Sequence, residues 1–136
     1  MRRFSWFSPL LIGICLLLPA IPARAADINP VRFVMPNGLT VLVLGQHALP
    51  IVQIHALVKA GSSQAPEDKA GLAHLVASLL DEGTTSRSAK QIAEQVEFVG
   101  GTLTTRATED FTTASIRILK KDVELGFELL GDILLH

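Results

Sequence analysis

The 136-residue chain has few of the side chains that cross-link a fold or give it an unusual surface. Its one cysteine, Cys15, lies in the apolar opening stretch, so no disulfide framework and no thiolate metal site can be built after it. Tyrosine is absent, the one tryptophan is Trp6, and beyond residue 25 phenylalanine is the only aromatic type. Charges of both signs are scattered, so nothing favours a nucleic-acid surface, which needs clustered base and aromatic stacking. Nor is there a long hydrophobic run. Leu10 to Leu18 falls far short of the roughly 18–20 apolar residues that span a bilayer.

What the opening stretch does have is a positive end, Met1-Arg2-Arg3, then that short apolar run, then Ala23-Arg24-Ala25 before Ala26. This order predicts a secretory signal peptide over residues 1–25, cleaved on export to the periplasm or cell surface. Ile14 is too bulky for the residue before a lipid-carrying Cys15. Three of the 12 basic residues (Arg2, Arg3, Arg24) leave with the leader, so residues 26–136 carry nine against 13 acidic ones, a net charge of −4. They are enough for one domain with a core.

Periodicity predicts an α+β chain, a mostly antiparallel sheet with helices packed on one face. Val31–Met35 reads as a strand, Pro36-Asn37-Gly38 as a turn, and Leu39–Leu44 as an apolar strand covered on both faces. Ile51–Ala60 alternates, with Val52, Ile54, Ala56 and Val58 on one face and Gln53, His55 and Lys59 on the other. His55 is most simply a sheet-surface residue, and His47 sits in a turn. After the loop Gly61–Lys69, the stretch Gly71–Gly83 spaces Leu72, Leu75, Val76, Leu79 and Leu80 as the inner stripe of an amphipathic helix that Gly83 caps. His74, Ala77, Ser78 and Asp81 share its opposite, small face, which is either solvated surface or the floor of a site. Ser88–Gln91 has the form of a capping box, followed by Ala89, Ile92, Val96 and Val99 at helical spacing. Two strands, Thr102–Thr108 and Phe111–Leu119, flank a tight Glu109-Asp110 turn, with Ala114, Ile116 and Ile118 inward. A last helix, Asp122–Leu135, is expected to turn Val123, Phe127, Leu130 and Leu134 inward, with Gly126 and Gly131 each costing about 1 kcal/mol against Ala. It ends at Leu135-His136 without cap or tail, and reads as part of something longer.

The strings Pro36-Asn37-Gly38-Leu39, Val58-Lys59-Ala60-Gly61-Ser62, Gly71-Leu72-Ala73-His74, Glu82-Gly83-Thr84, Arg87-Ser88-Ala89 and Gly100-Gly101, in this order, resemble the pitrilysin/insulysin family of zinc peptidases, which includes mitochondrial processing peptidase. The resemblance covers about residues 31–136. It implies the amino-terminal α+β domain of that family over residues 26–136, incomplete at its carboxy end. In the family, the helix opening G-L-A-H carries H-x-x-E-H: histidines at i and i+4 hold zinc, the glutamate at i+3 activates the bound water, and a glutamate well downstream completes the site.

Carried over residue by residue, the first histidine is His74, the base position is Ala77 and the second histidine position is Ser78. Asp81 lies about 10 Å further along the helix and cannot share an ion with His74. The resemblance therefore implies no catalytic residue and no metal site in this chain, and no bound cofactor. It implies a non-catalytic, substrate-holding subunit beside an active zinc peptidase of the same family. The alternative is an active zinc metalloendopeptidase with a rearranged site, and a third is a binding module with no peptidase partner. One positive site follows from the resemblance. The strand after Gly100-Gly101 is an edge that pairs with extended substrate backbone in the family, here Thr102, Leu103, Thr104, Thr105 and Arg106. A plain edge strand whose Arg106 keeps neighbours away is the competing reading.

Overall fold

The computed structural model describes residues 29–136; the expected signal peptide lies outside them. They divide into two compact units, one ending at Gly45 and the other running from Gln46 to His136. In the first, β1 (Val31–Val34) and β2 (Thr40–Val43) form an antiparallel hairpin with Val34 opposite Thr40. Gly38 takes the positive φ of 85° that its turn requires, and Asn37 Oδ1 accepts from the Leu39 N–H. The run Leu39–Leu44 predicts cover on both faces. Instead, among the described residues, β2 pairs with β1 alone, and Leu42 and Val43 are exposed.

The second unit is built on β3 (Ile51–Val58), β4 (Thr102–Ala107) and β5 (Thr112–Leu119), all antiparallel, with β5 central and β4 at an edge. Alternation sorts the side chains into two faces. Ile54, Leu103, Ala114, Ile116 and Ile118 share the inner face by register. On it pack Ile92 and Val96 of α2 (Ala89–Phe98) and Leu129, Leu130 and Ile133 of α3 (Val123–Leu135). The outer face carries the polar Gln53, His55, Thr104, Arg106, Ser115 and Arg117, together with Leu57 in line with Arg106 and Ile51 and Leu119 at the other end. No helix among the described residues is long and apolar enough to cross a membrane.

Local chemistry accounts for the starts and ends. Ser88 Oγ accepts from the Gln91 N–H while Gln91 Oε1 accepts from the Ser88 N–H, the capping box expected at the head of α2. The Thr108 N–H donates to the Phe111 carbonyl at 2.8 Å, closing the Glu109-Asp110 turn. Gly61 lies so close to this turn that a Cβ there would come within 2.3 Å of the Glu109 carbonyl oxygen, and the next residue's N–H donates to Thr108 O at 2.9 Å. The loop from Gly61, which includes two short 3-10 turns, is thereby fastened to the β4–β5 hairpin.

Two helix faces differ from expectation. The helix α1 (Leu72–Leu79) ends at a cap on Leu80, three residues before Gly83, whose φ of 135° serves a bridge to Ser88. Its buried residue is Ala77, 2 % exposed, whereas Leu75 and Leu79 are 56 % and 54 % exposed and Leu72 and Val76 are exposed too. The helix lies against β4 and β5, where the strands present the buried alanines Ala107 and Ala114. Small side chains on both sides permit close approach; a leucine stripe there would hold the backbones apart. In α3, Phe127 is exposed and Gly126 is buried in its place. A Cβ on Gly126 would stand 2.5 Å from Ile118 Cδ1, so the glycine lets the helix sit down on the sheet.

Candidate functional site

The site implied by the G-L-A-H string lies on α1. Gly71 holds a left-handed φ of 89° and lets the chain turn into the helix. From there His74 and Ser78, one turn apart, project from an exposed face, and Ala77 points into the sheet. Ser78 Oγ donates to the Leu75 carbonyl at 2.9 Å, the back-bonding usual for serine inside a helix. Asp81 is partly buried at the far end. Among the described residues no group of three or more His, Cys, Asp or Glu side chains converges as a metal would need. One imidazole, a methyl packed on the sheet and a hydroxyl turned back on its own helix do not fit a zinc ion, which takes about three protein ligands.

His55, on β3, faces the outer side of the sheet, where its Nδ1 lies 2.7 Å from Ser115 Oγ on the paired strand. No described carboxylate hydrogen-bonds this imidazole, so the pair lacks the third group that orients a catalytic base. His47 makes no described side-chain contact of this kind.

The edge strand is better furnished. Antiparallel pairs alternate between those that exchange backbone hydrogen bonds and those that do not. With Thr108 bonded to Phe111, the same parity sends the backbone groups of Arg106, Thr104 and Thr102 toward β5. The opposite parity of β5 serves β3, as the bond from the Lys120 N–H to Pro50 O at 2.9 Å requires. It follows that Leu103, Thr105 and Ala107 turn their N–H and C=O groups to the open side of β4, where no backbone partner meets them among the described residues. The five candidate residues Thr102–Arg106 thus form an available edge. Their side chains divide: Leu103 packs against the core, while Thr102, Thr104 and Arg106 are exposed.

The most heavily bonded polar cluster among the described residues centres on Asp132, to which no sequence motif assigns a role. Asp132, 8 % exposed on α3, accepts from Thr84 Oγ1 at 2.9 Å, Ser86 Oγ at 2.8 Å and Arg87 Nη1 at 2.6 Å. Arg87 also pairs with Glu128 and donates through Nε to Gln95 Oε1 at 3.2 Å. The Arg87 hydrogen bond, with help from Ser86 and Thr84, holds the Asp132 carboxyl below its usual range despite burial; the same bond raises Arg87 further, with Glu128 adding to it. Both oxygens of the buried Asp132 carboxylate accept hydrogen bonds from this segment, so the cluster is a clamp joining the α1–α2 connection to α3. The available signal is the acidic spacing Glu124, Glu128 and Asp132 at i, i+4 and i+8 along a helix whose other residues are apolar or glycine.

A sequence model of the insulinase family, peptidase family M16, matches residues 40–136. The chain belongs to that family. It is 32 % identical over 118 residues to an uncharacterized zinc protease of Mycobacterium bovis, a match covering 87 % of this chain and 26 % of the relative. It is 29 % identical over 100 residues to the mitochondrial-processing peptidase subunit beta of Blastocladiella emersonii, covering 74 % of this chain and 22 % of that one. Among solved structures, an inactive M16 peptidase domain from Pseudomonas fluorescens superposes with a TM-score of 0.72 at 27 % identity, over 79 % of this chain and 26 % of that one. This M16 chain thus spans about a quarter of the length of the relatives it matches.

Proposed function

We propose that the chain is the amino-terminal part of an exported, catalytically inactive M16 homologue that holds extended peptide for an active zinc peptidase of the same family. The observation that carries this reading is the state of α1. The base position is Ala77, with its methyl on the sheet, and the second ligand position is Ser78, with its hydroxyl bonded to Leu75 O. The open edge of β4 supports the holding role, since unpaired backbone groups are what an added strand needs. Two comparisons support it further: the P. fluorescens neighbour is described as an inactive domain, and one relative is a named subunit of a peptidase.

The names of the other relatives favour a second reading, an active zinc metalloendopeptidase with a rearranged site. Elemental analysis of the purified full-length protein separates the two. The expected result is no stoichiometric zinc and no chelator-sensitive cleavage of an unfolded peptide by the protein alone. About one zinc per chain, lost in His74→Ala, would overturn the inactive reading. Export carries its own check. A mature protein whose amino terminus is Ala26 supports it, and an intact Met1 on cytoplasmic protein refutes it.

A further inference from the structure

We infer that a peptide strand lying along β4 is read for charge by Arg106, which selects acidic side chains on the face of the sheet turned away from the helices. This rests on the edge-strand reading above and adds to it the class of peptide held.

A strand hydrogen-bonded to the open side of β4 must alternate its side chains between the same two faces as β4 does. Every second peptide residue then falls beside Leu103 and Thr105, on the face the helices cover. The residues between fall beside Thr102, Thr104 and Arg106, on the outer face. Directly opposed side chains on neighbouring strands have Cβ atoms roughly 4.5–5.5 Å apart, and diagonal ones about 7–8 Å, within reach of an arginine.

On that outer face the charge is of one sign. Arg106 is exposed, and neither it nor Arg117, which sits on β5 opposite Thr102, has a carboxylate partner among the described residues. Between them lie Thr104, Ser115 and Thr113, and beyond β5 the β3 residues in line are Leu57, His55 and Gln53. No register position of the three strands on this face is acidic. The nearest acidic residues along the hairpin, Glu109 and Asp110, are in the turn beyond Arg106. An arriving peptide therefore meets an unpaired guanidinium at the edge, with a second one on the next strand about four residues further along, level with Thr102. Opposite charges across two strands attract and like charges repel, so glutamate or aspartate on outer-face positions is favoured and lysine or arginine disfavoured. The helix-side positions stay apolar or small.

The test uses the full-length protein and dye-labelled peptides of about eight residues that alternate valine with glutamate, with serine or with lysine. Alternation puts the second residue type on the outer face in any register that buries valine. The expected order of affinity by anisotropy is glutamate, serine, lysine, each step roughly two- to five-fold, the size of one cross-strand charge pair. The spread should close near 1 M salt, where charges are screened within about 3 Å. Arg106→Glu should reverse the order and Arg106→Gln should flatten it, with serine-peptide binding kept in both. An order unchanged in Arg106→Glu, with its circular dichroism intact, would overturn the charge-reading role. Failure of the underlying reading looks different. Thr105→Pro removes an N–H that faces the open side and leaves the ladder to β5 whole, so it should weaken every peptide alike. If it leaves the serine peptide's affinity unchanged, or if no peptide binds, the edge reading falls and the charge reading with it.

Discussion

At the scale of the residue, the two glycines of α3 show how little composition says about a position. Both lie inside a helix, where glycine costs about 1 kcal/mol against alanine through backbone freedom alone. Nothing stands within 4 Å of a Cβ built on Gly131, so Gly131→Ala should recover most of that amount. A Cβ on Gly126 meets Ile118 Cδ1 at 2.5 Å and Ile54 Cδ1 at 3.4 Å, inside a core where Ile118 is 2 % exposed. Overpacking of that kind costs about 1–3 kcal/mol, which exceeds the propensity gain. Urea denaturation of the chain without residues 1–25 should therefore show stabilisation by Gly131→Ala and destabilisation by Gly126→Ala. If both variants were stabilised to the same extent, α3 could not be seated on the sheet through Gly126.

At the scale of the element, the order of strands and helices is legible because hydrophobic period and turn chemistry are local. Ser88 and Gln91 announce the start of α2, Glu109-Asp110 marks the hairpin, and Ala114, Ile116 and Ile118 alternate inward as their spacing says. Which side of a helix meets the sheet is not local. In α1 the widest apolar stripe argues for one side, but the distance between helix and strands is set by Ala77, Ala107 and Ala114 together, and Ala77 lies 30 residues or more before the other two in sequence. The clamp of Arg87 on Asp132, 45 residues away, escaped for the same reason. The candidate site was legible where it depended on residue identity, at His74, Ala77 and Ser78. The unpaired backbone of Leu103 and Thr105 needed the register. The facing of α1 can be checked directly in the 136-residue chain lacking its first 25 residues. Leu75→Ala removes an exposed side chain and should change stability by no more than about 0.5 kcal/mol. Leu129→Ala, at a fully buried site, should cost about 2–5 kcal/mol. A loss at Leu75 as large as that at Leu129 would restore the leucine stripe to the core.

At the scale of the whole unit, Asp132 ties together segments that the sheet alone does not hold, and its ionisation links that clamp to pH. In the folded protein the Arg87 hydrogen bond holds its pKa below the ordinary value of 3.8, to which unfolding returns it. Below that value the unfolded chain binds the proton more readily than the folded one, so stability rises with pH through the window. The contribution is complete above the unfolded value and drains away as pH falls through the lower folded one. Arg87, shifted further upward by Asp132 and Glu128, stays charged throughout the acid range and adds nothing to the slope there. Asp132→Asn keeps the shape and removes the ionised acceptor. The variant should be less stable than the parent at about pH 7, and the gap should narrow steadily below about pH 4, when both are unfolded by urea at a series of pH values. A gap as wide at about pH 3 as at neutrality would mean that Asp132 works by packing, and that Thr84, Ser86 and Arg87 would hold a neutral side chain as firmly as a charged one.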